Sequence, residues 1–200
     1  MSLYQLHLSR DKKLKSIIDN RDSFELKQEK NICLYLCYSI MSQQLSTKVA
    51  RVFHQRFLDL YNGKQPTAKQ IIETKFEVLR AIGLSNAKTN YILNVANFEI
   101  ANGLSPKKLN KMSNEEVIDY LTQIKGVGKW TVEMLMMFAL GREDVFSVDD
   151  LGIQTAMIKM YNINVEDKKE MRQKMLKISS KWEPYRTYAC LHLWHWKDEK

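Results

Sequence analysis

The stretch Leu121–Asp150, LTQIKGVGKWTVEMLMMFALGREDVFSVDD, decides how the rest of the chain is read. It predicts a helix that ends at Gly126-Val127-Gly128, a second helix that opens at once, and a loop that delivers Asp149 and Asp150. Gly126 and Gly128 permit positive φ, so the chain can reverse between two helices in very few residues. Such a reversal turns successive backbone N–H groups outward at the start of the second helix. With the helix dipole behind them, they suit a phosphate oxygen. Lys125 and Lys129 flank the turn and add point charge. A contact of this kind positions DNA without reading its sequence. The plain alternative is an αα-hairpin whose glycines serve close packing.

In DVFSVDDLGIQTA, Asp149 and Asp150 sit where a loop meets a helix. Ser147 and Asp149 both qualify as N-caps. A cap needs only one carboxylate, which leaves the second over. Adjacent side chains at a helix start point in different directions, so one can cap while the other serves chemistry. Two neighbouring carboxylates raise each other's cost of ionisation, and a nearby cation relieves it. A phosphate anchor and an acid within thirty residues together point to an enzyme acting on DNA.

Away from this block nearly every segment carries the helical period. Ile32, Tyr35, Leu36, Ser39 and Ile40 form one face. Val49, Val52, Phe53, Phe57 and Leu60 form the next, and YNGKQPT follows as a loop. Ile71, Ile72, Val78 and Leu79 mark short helices closed by Gly83. Tyr91, Ile92, Val95 and Phe98 continue the pattern. Ser113 with Glu116 forms a capping box ahead of EEVIDYLTQI. Met134, Leu135 and Phe138 are expected to face inward. Ile153, Met157 and Met160 mark another helix, and YACLHLWHW a last one. With no convincing strand, the fold class is all-α, as two helical lobes with a cleft between them.

The 200 residues, 44% of them hydrophobic, suffice for a core. Three prolines and seven glycines favour long helices over many turns. The net charge of +8 fits a polyanionic partner if it is clustered, or a basic surface kept for solubility. Cys33, Cys37 and Cys190 are odd in number and lack zinc spacing, so buried free thiols in a reducing compartment are expected. MSLYQLHLSRDKKLKS lacks the apolar core of a signal peptide, and no apolar run approaches membrane-spanning length.

Four stretches in order, SIMSQQLSTKVA, LRAIGLSNAKTNYI, the block from LTQIKGVGKWTVEML through DVFSVDDLGIQ, and KWEPYRTYACLHLW, carry a family likeness. Over Asn31 to Trp194 the chain resembles the helix-hairpin-helix base-excision DNA glycosylases. It is most similar to their alkylbase branch, 3-methyladenine-DNA glycosylase II. Larger members carry an extra N-terminal β-rich lobe. None is expected here, so 1–200 reads as a single glycosylase unit with the helix-hairpin-helix at 115–140 and a catalytic loop at 141–150. The resemblance makes Asp150 the catalytic carboxylate and Asp149 its capping neighbour. It assigns Trp130 and Trp194, with Met134, to the base pocket. Gln44 becomes the residue that wedges into the space left by a flipped nucleotide. Lys125, Gly126, Val127, Gly128 and Lys129 become the DNA-binding hairpin. Family hairpins often hold a monovalent cation through main-chain carbonyls, here those of Thr122, Ile124 and Val127.

The likeness implies hydrolysis of the N-glycosidic bond of alkylated purines in damaged double-stranded DNA. The enzyme would need no cofactor, work as a monomer apart from membranes, and sit in the cytoplasm or nucleoid of a bacterium or the nucleus of a eukaryote. The nucleophilic lysine of bifunctional relatives is replaced by Trp130, which implies no lyase step. One cysteine near the C-terminus, Cys190, does not supply the four that hold an iron–sulfur cluster in other branches. Ser147 replaces the usual proline, which implies a less rigid loop. Met134 stands where some relatives place a tyrosine. Trp182, Tyr185 and Arg186 read as joining two helices, and Glu133 as a solvated or core-rim residue. His192 is a weak candidate for facing the cleft. Two alternatives stay open: a glycosylase for another lesion, such as a deaminated purine, and a non-catalytic helix-hairpin-helix DNA-binding protein.

Overall fold

The structure, a computed structural model, describes residues 1–19 and 21–199. Those residues form α-helices and one 3-10 turn, with no strand among them. In chain order the helices are α1 (Leu3–Leu8), α2 (Lys12–Ile18), α3 (Ile32–Ser42), α4 (Thr47–Asp59), α5 (Ala68–Glu73), α6 (Phe76–Ala81) and α7 (Asn86–Asn102). They continue with α8 (Pro106–Leu109), α9 (Asn114–Leu121), α10 (Lys129–Phe138), α11 (Leu151–Tyr161), α12 (Lys168–Ser179) and α13 (Arg186–Asp198). No described helix is long and apolar enough to cross a membrane. The all-α expectation therefore holds.

The chain divides into two compact units: Gln28–Leu135, and Met1–Lys27 together with Met136–Lys200. In the first, α7 packs on both α3 and α5. Its core is built from residues such as Leu36, Ile40, Phe57, Ile71, Leu79, Ile92 and Val95. In the second, α13 packs on α11 and α2, around Leu14, Ile18, Ile153, Met157, Trp182 and Leu193. Cys33, Cys37 and Cys190 are buried free thiols, as expected.

Short local signals set most helix starts. Ser46, Ser85 and Ser105 each cap through a side-chain oxygen. Ser113 and Glu116 form the reciprocal box ahead of α9. An N-terminal cap of this kind is worth about 1 kcal/mol.

The helical period misplaced some apolar side chains. Val49 and Val52 are exposed, because α4 turns Ala50 and Phe57 inward and the two valines lie beside that stripe. Val78 and Phe138 are also partly exposed. Phe138 instead offers its ring to Trp194, at 6.0 Å between centroids. Periodicity reports a face, and one position of rotation on it, about 100°, is enough to take a side chain out of the core.

Candidate active site

The hairpin between α9 and α10 follows from one glycine more than from two. Gly126 takes φ +105°, a region that L side chains rarely enter. A Cβ there would stand 2.2 Å from Cγ of Tyr91, so this side chain of α7 packs directly against the backbone. Gly128 differs from expectation: its φ is not left-handed, and a Cβ on it would meet nothing within 4 Å. The space over Gly128 is open to an approaching group, and that space is its contribution. Asn94, one turn along α7 from Tyr91, donates to the Lys125 carbonyl at 3.1 Å.

The hairpin N–H groups divide as well. That of Val127 donates back to Ile124 at 2.9 Å, which removes it from the expected phosphate set. The first bond of α10 runs from the Val132 N–H to the Gly128 carbonyl at 3.1 Å. Lys125 is exposed. Lys129 is 3.7 Å from Glu133, whose side chain is 5% exposed. Glu133 is therefore a buried acid paired with a hairpin lysine, which overturns the solvated one of its two expected readings and leaves the core-rim one. The Lys129 charge is partly spent inside the helix, which leaves Lys125 as the freer cation.

On α10, Trp130 is 48% exposed, and Met134 is half-buried with its carbonyl accepting from the Tyr35 hydroxyl at 3.3 Å. Burial, aided by the Glu29 charge, pushes Tyr35 up to about 12, so it stays a donor. Gln44 lies between α3 and α4, exposed, with φ +61°. A non-glycine residue in that conformation costs about 1–3 kcal/mol and persists only where its surroundings fix it.

The second unit holds the carboxylates. The cap of α11 is Asp150, whose Oδ1 accepts from the Ile153 N–H at 2.9 Å. Its N–H closes a turn on the Ser147 carbonyl at 3.1 Å. That turn sets Asp149 at its corner, exposed and ion-paired with Arg172. The expected division of labour is thus corrected: Asp150 is the cap, and Asp149 is the partner of a surface cation.

The same Oδ1 of Asp150 accepts a second bond, 2.8 Å from Nε1 of Trp194 on α13. Gly152 makes this approach feasible. A Cβ on it would lie 2.9 Å from Cδ1 of Trp194, 3.0 Å from its Nε1 and 3.0 Å from Oδ1 of Asp150. Two donors on one oxygen fix the orientation of the carboxylate. Trp194, expected only as a base-facing ring, also orients the acid through its N–H.

The loop before the carboxylates is tied down from α13. Arg186 forms a two-armed pair with Asp144, at 2.7 and 2.8 Å. Thr187 donates its hydroxyl to the Arg142 carbonyl at 2.6 Å and accepts from the Val145 N–H at 3.0 Å. Tyr188 reaches Glu143 at 2.9 Å. These bonds supply the restraint that a proline would have given, so Ser147, itself buried, does not leave the loop loose. Trp182 is fully buried and donates to Asp11 at 3.1 Å, beside the Tyr161 hydroxyl at 2.7 Å. The structural reading of the segment around Trp182 and Arg186 therefore holds. His192 is a buried ring against Phe24, at 4.8 Å. Burial first, then the Arg21 and His195 charges, push it down to about 4. It is a core residue rather than a site residue.

Residues 37–181 match the family model for the HhH-GPD superfamily of base excision DNA repair proteins. The chain belongs to the HhH-GPD superfamily. A DNA-3-methyladenine glycosylase of Schizosaccharomyces pombe is 37% identical over 186 residues, which are 92% of this chain and 80% of that protein. The crystal structure of a DNA-3-methyladenine glycosidase from Bacillus halodurans superposes with a TM-score of 0.86 at 34% identity, over 98% of this chain and 89% of the other. A 3-methyladenine DNA glycosylase of Schizosaccharomyces pombe in complex with abasic DNA gives a TM-score of 0.79 at 33% identity, covering 96% and 95%. The glycosylase resemblance and its alkylbase branch are thereby borne out.

For a member of the HhH-GPD superfamily, sequence reasoning passed over three contributors. Gly152 stands inside the first turn of α11, where glycine is unfavourable by about 1 kcal/mol relative to alanine. That misfit was a readable sign of close approach. Tyr91 and Asn94 carry no local sign, because their partners on the hairpin are more than thirty residues away.

Proposed function

We propose that this chain is a DNA repair glycosylase that hydrolyses the N-glycosidic bond of alkylated purines, 3-methyladenine and 7-methylguanine, in duplex DNA. The carrying observation is the Asp150 carboxylate, held at the start of α11 by the Ile153 N–H and the Trp194 indole N–H. The target nucleotide must leave the stack before its sugar can be reached, at a few kcal/mol, less for a damaged base. Gln44 fills the gap that it leaves. The first turn of α10, with Gly128 open above it and Lys125 alongside, takes a backbone phosphate irrespective of sequence.

Alkylation at N3 or N7 makes the purine cationic. The ring faces of Trp130 and Trp194, with Met134 beside the former on α10, take that cation, each at roughly 0.5–2 kcal/mol. The charged purine is already a good leaving group, so strong acid catalysis is unnecessary. As the bond to C1′ lengthens, positive charge grows on the sugar, and Asp150 stabilises it as a carboxylate. Water adds at C1′, the purine leaves as a neutral base, and the proton of the water passes to Asp150 or solvent. No cofactor is required and no iron–sulfur cluster takes part. Thr122 is the C-cap of α9, so its carbonyl lies at the helix end, and the Ile124 carbonyl already accepts from Val127. Oxygen donors of this kind suit a monovalent cation. Such an ion, held by Thr122, Ile124 and Val127, would brace the hairpin.

The activity is of the type II alkylbase kind and monofunctional, because Trp130 offers no amine for a Schiff base. The protein acts as a monomer on DNA, without a membrane, wherever its host keeps its genome. The deciding assay measures free bases released from methylated DNA and from oligonucleotides with single lesions, analysed by mass. Methylpurine release with an intact strand and no borohydride-trapped adduct is expected. Release of a deaminated purine alone would shift the substrate. Damage-independent binding with no release would leave a binding protein.

A further inference from the structure

The segment joining α3 to α4 reverses the chain within Gln43, Gln44 and Leu45, and it does so without glycine. Gln43 leaves the helix at φ −51°, ψ 129°. Gln44 then takes φ +61°, and Leu45 bonds back to Ser42 at 3.1 Å. A glutamine has none of glycine's freedom there, so something outside the turn must hold it.

Lys88, from α7, does so. Its Nζ donates to the Met41 carbonyl at 3.0 Å and to the Gln43 carbonyl at 2.7 Å. These are among the carbonyls that the end of α3 leaves without an intrahelical donor. The lysine is poorly sited for its own helix. It stands on the first turn of α7, its backbone N–H bound by the Ser85 cap, where the dipole opposes a cation. It is well sited for α3, whose C-terminal end attracts one. Burial pushes its ammonium below the ordinary lysine value, and the two carbonyl bonds offset that cost.

We propose that Lys88 is a positioning residue: by clamping the last carbonyls of α3, it fixes the left-handed turn that presents Gln44 to the opened duplex. This rests on the reading of the chain as a base-flipping glycosylase with Gln44 as its wedge. A lysine that merely caps α3 would support stability and leave the use of Gln44 untouched. The two roles separate in a double-mutant cycle.

The cycle compares wild type, Lys88→Met, Gln44→Ala and the double variant, with Lys88→Arg as the conservative control. Two signals are read: single-turnover base release from methylated duplex, and fluorescence of 2-aminopurine beside the lesion, which reports unstacking. Lys88→Met is expected to slow release about tenfold, an interaction of ordinary size for coupled neighbours. It should lower the unstacking signal and leave binding to undamaged duplex unchanged. Lys88→Arg, still a cation with several N–H donors, should recover most of both signals. In the Gln44→Ala background, Lys88→Met should cost nothing further. Equal losses in both backgrounds would overturn the proposal and leave Lys88 a stability cap. If Lys88→Met does not fold by circular dichroism, Lys88→Gln, which keeps one donor, takes its place in the cycle with the same criterion. Full release by Gln44→Ala alone would instead remove the wedge, and with it the purpose of the clamp.

Discussion

The hairpin at Lys125–Lys129 and the carboxylates at Asp149–Asp150 are built on opposite principles. The hairpin is made mostly by its own backbone: a left-handed glycine, a Val127 to Ile124 turn bond, and a helix that starts at once. Its outside help, from Tyr91 and Asn94, presses on backbone atoms. The carboxylates are defined by side chains from elsewhere, Trp194 for one and Arg172 for the other. A backbone site tolerates changes to side chains beside it and fails when a Cβ is added in the wrong place. A side-chain site fails when a donor or a charge is lost, and here also if a Cβ at Gly152 pushes donor and acceptor apart.

The largest expected effect tests the two acids against each other. Asp150→Asn keeps an N-cap of nearly equal quality but removes the charge that meets the developing cation. Base release should fall at least ~100-fold, the scale of losing one preorganised electrostatic contact, with DNA affinity retained. Asp149→Asn removes only an exposed pair with Arg172, worth at most about 1 kcal/mol, and should leave release within a few-fold of wild type. Comparable losses from both would mean that the acids act as a unit and would break the division between cap and surface partner. Single-turnover release with parallel binding isotherms measures both.

Next come the two glycines. Gly126→Ala meets both an unfavourable φ and the Tyr91 ring at 2.2 Å, so thermal unfolding should show a loss of at least about 2 kcal/mol. Gly128→Ala meets nothing in the protein. It should unfold like wild type yet bind every DNA sequence more weakly, because its methyl occupies the space for a phosphate. Unchanged DNA affinity for a folded Gly128→Ala would take the first turn of α10 out of the phosphate contact.

Trp194→Phe separates the ring from the indole N–H. Phenylalanine keeps an aromatic face for a cationic purine but gives Asp150 no donor. A hydrogen bond to a charged group is worth about 1.5–3 kcal/mol, so base release should drop about tenfold or somewhat more. Methylated-duplex affinity should change little. If affinity falls while the release rate holds, Trp194 acts through its face alone.

How far the sequence could be read follows the same divide. The all-α class, the α9 capping box and the reversal at Gly126 rest on residues at most a few positions apart, and all were legible. The choice of cap was not. Asp149 and Asp150 are alike in chemistry, and what separates them is a turn closed on Ser147 together with Trp194, 44 residues further on. Glu133 read as either solvated or core-rim because its burial depends on packing around α10 rather than on its neighbours in sequence. Lys88 gave no sign, since its carbonyl partners lie 45 and 47 residues away.

The smallest effect probes charge at the hairpin. Lys125 and Lys129 look equivalent in sequence, but Lys129 lies 3.7 Å from the buried Glu133, whereas Lys125 is exposed, with its carbonyl tied by Asn94. Neutralising one phosphate releases condensed counterions, so log affinity should fall with log salt about 0.9 less steeply once that contact is lost. Lys125→Ala should therefore flatten the slope by about that amount, and Lys129→Ala by less, because part of its charge already answers to Glu133. Affinity should fall for all sequences alike, since a phosphate contact carries no base information. Fluorescence anisotropy of undamaged duplex over a salt series measures the slopes. A larger change for Lys129 than for Lys125 would reverse their roles and show that Glu133 orients Lys129 toward the backbone rather than withholding it.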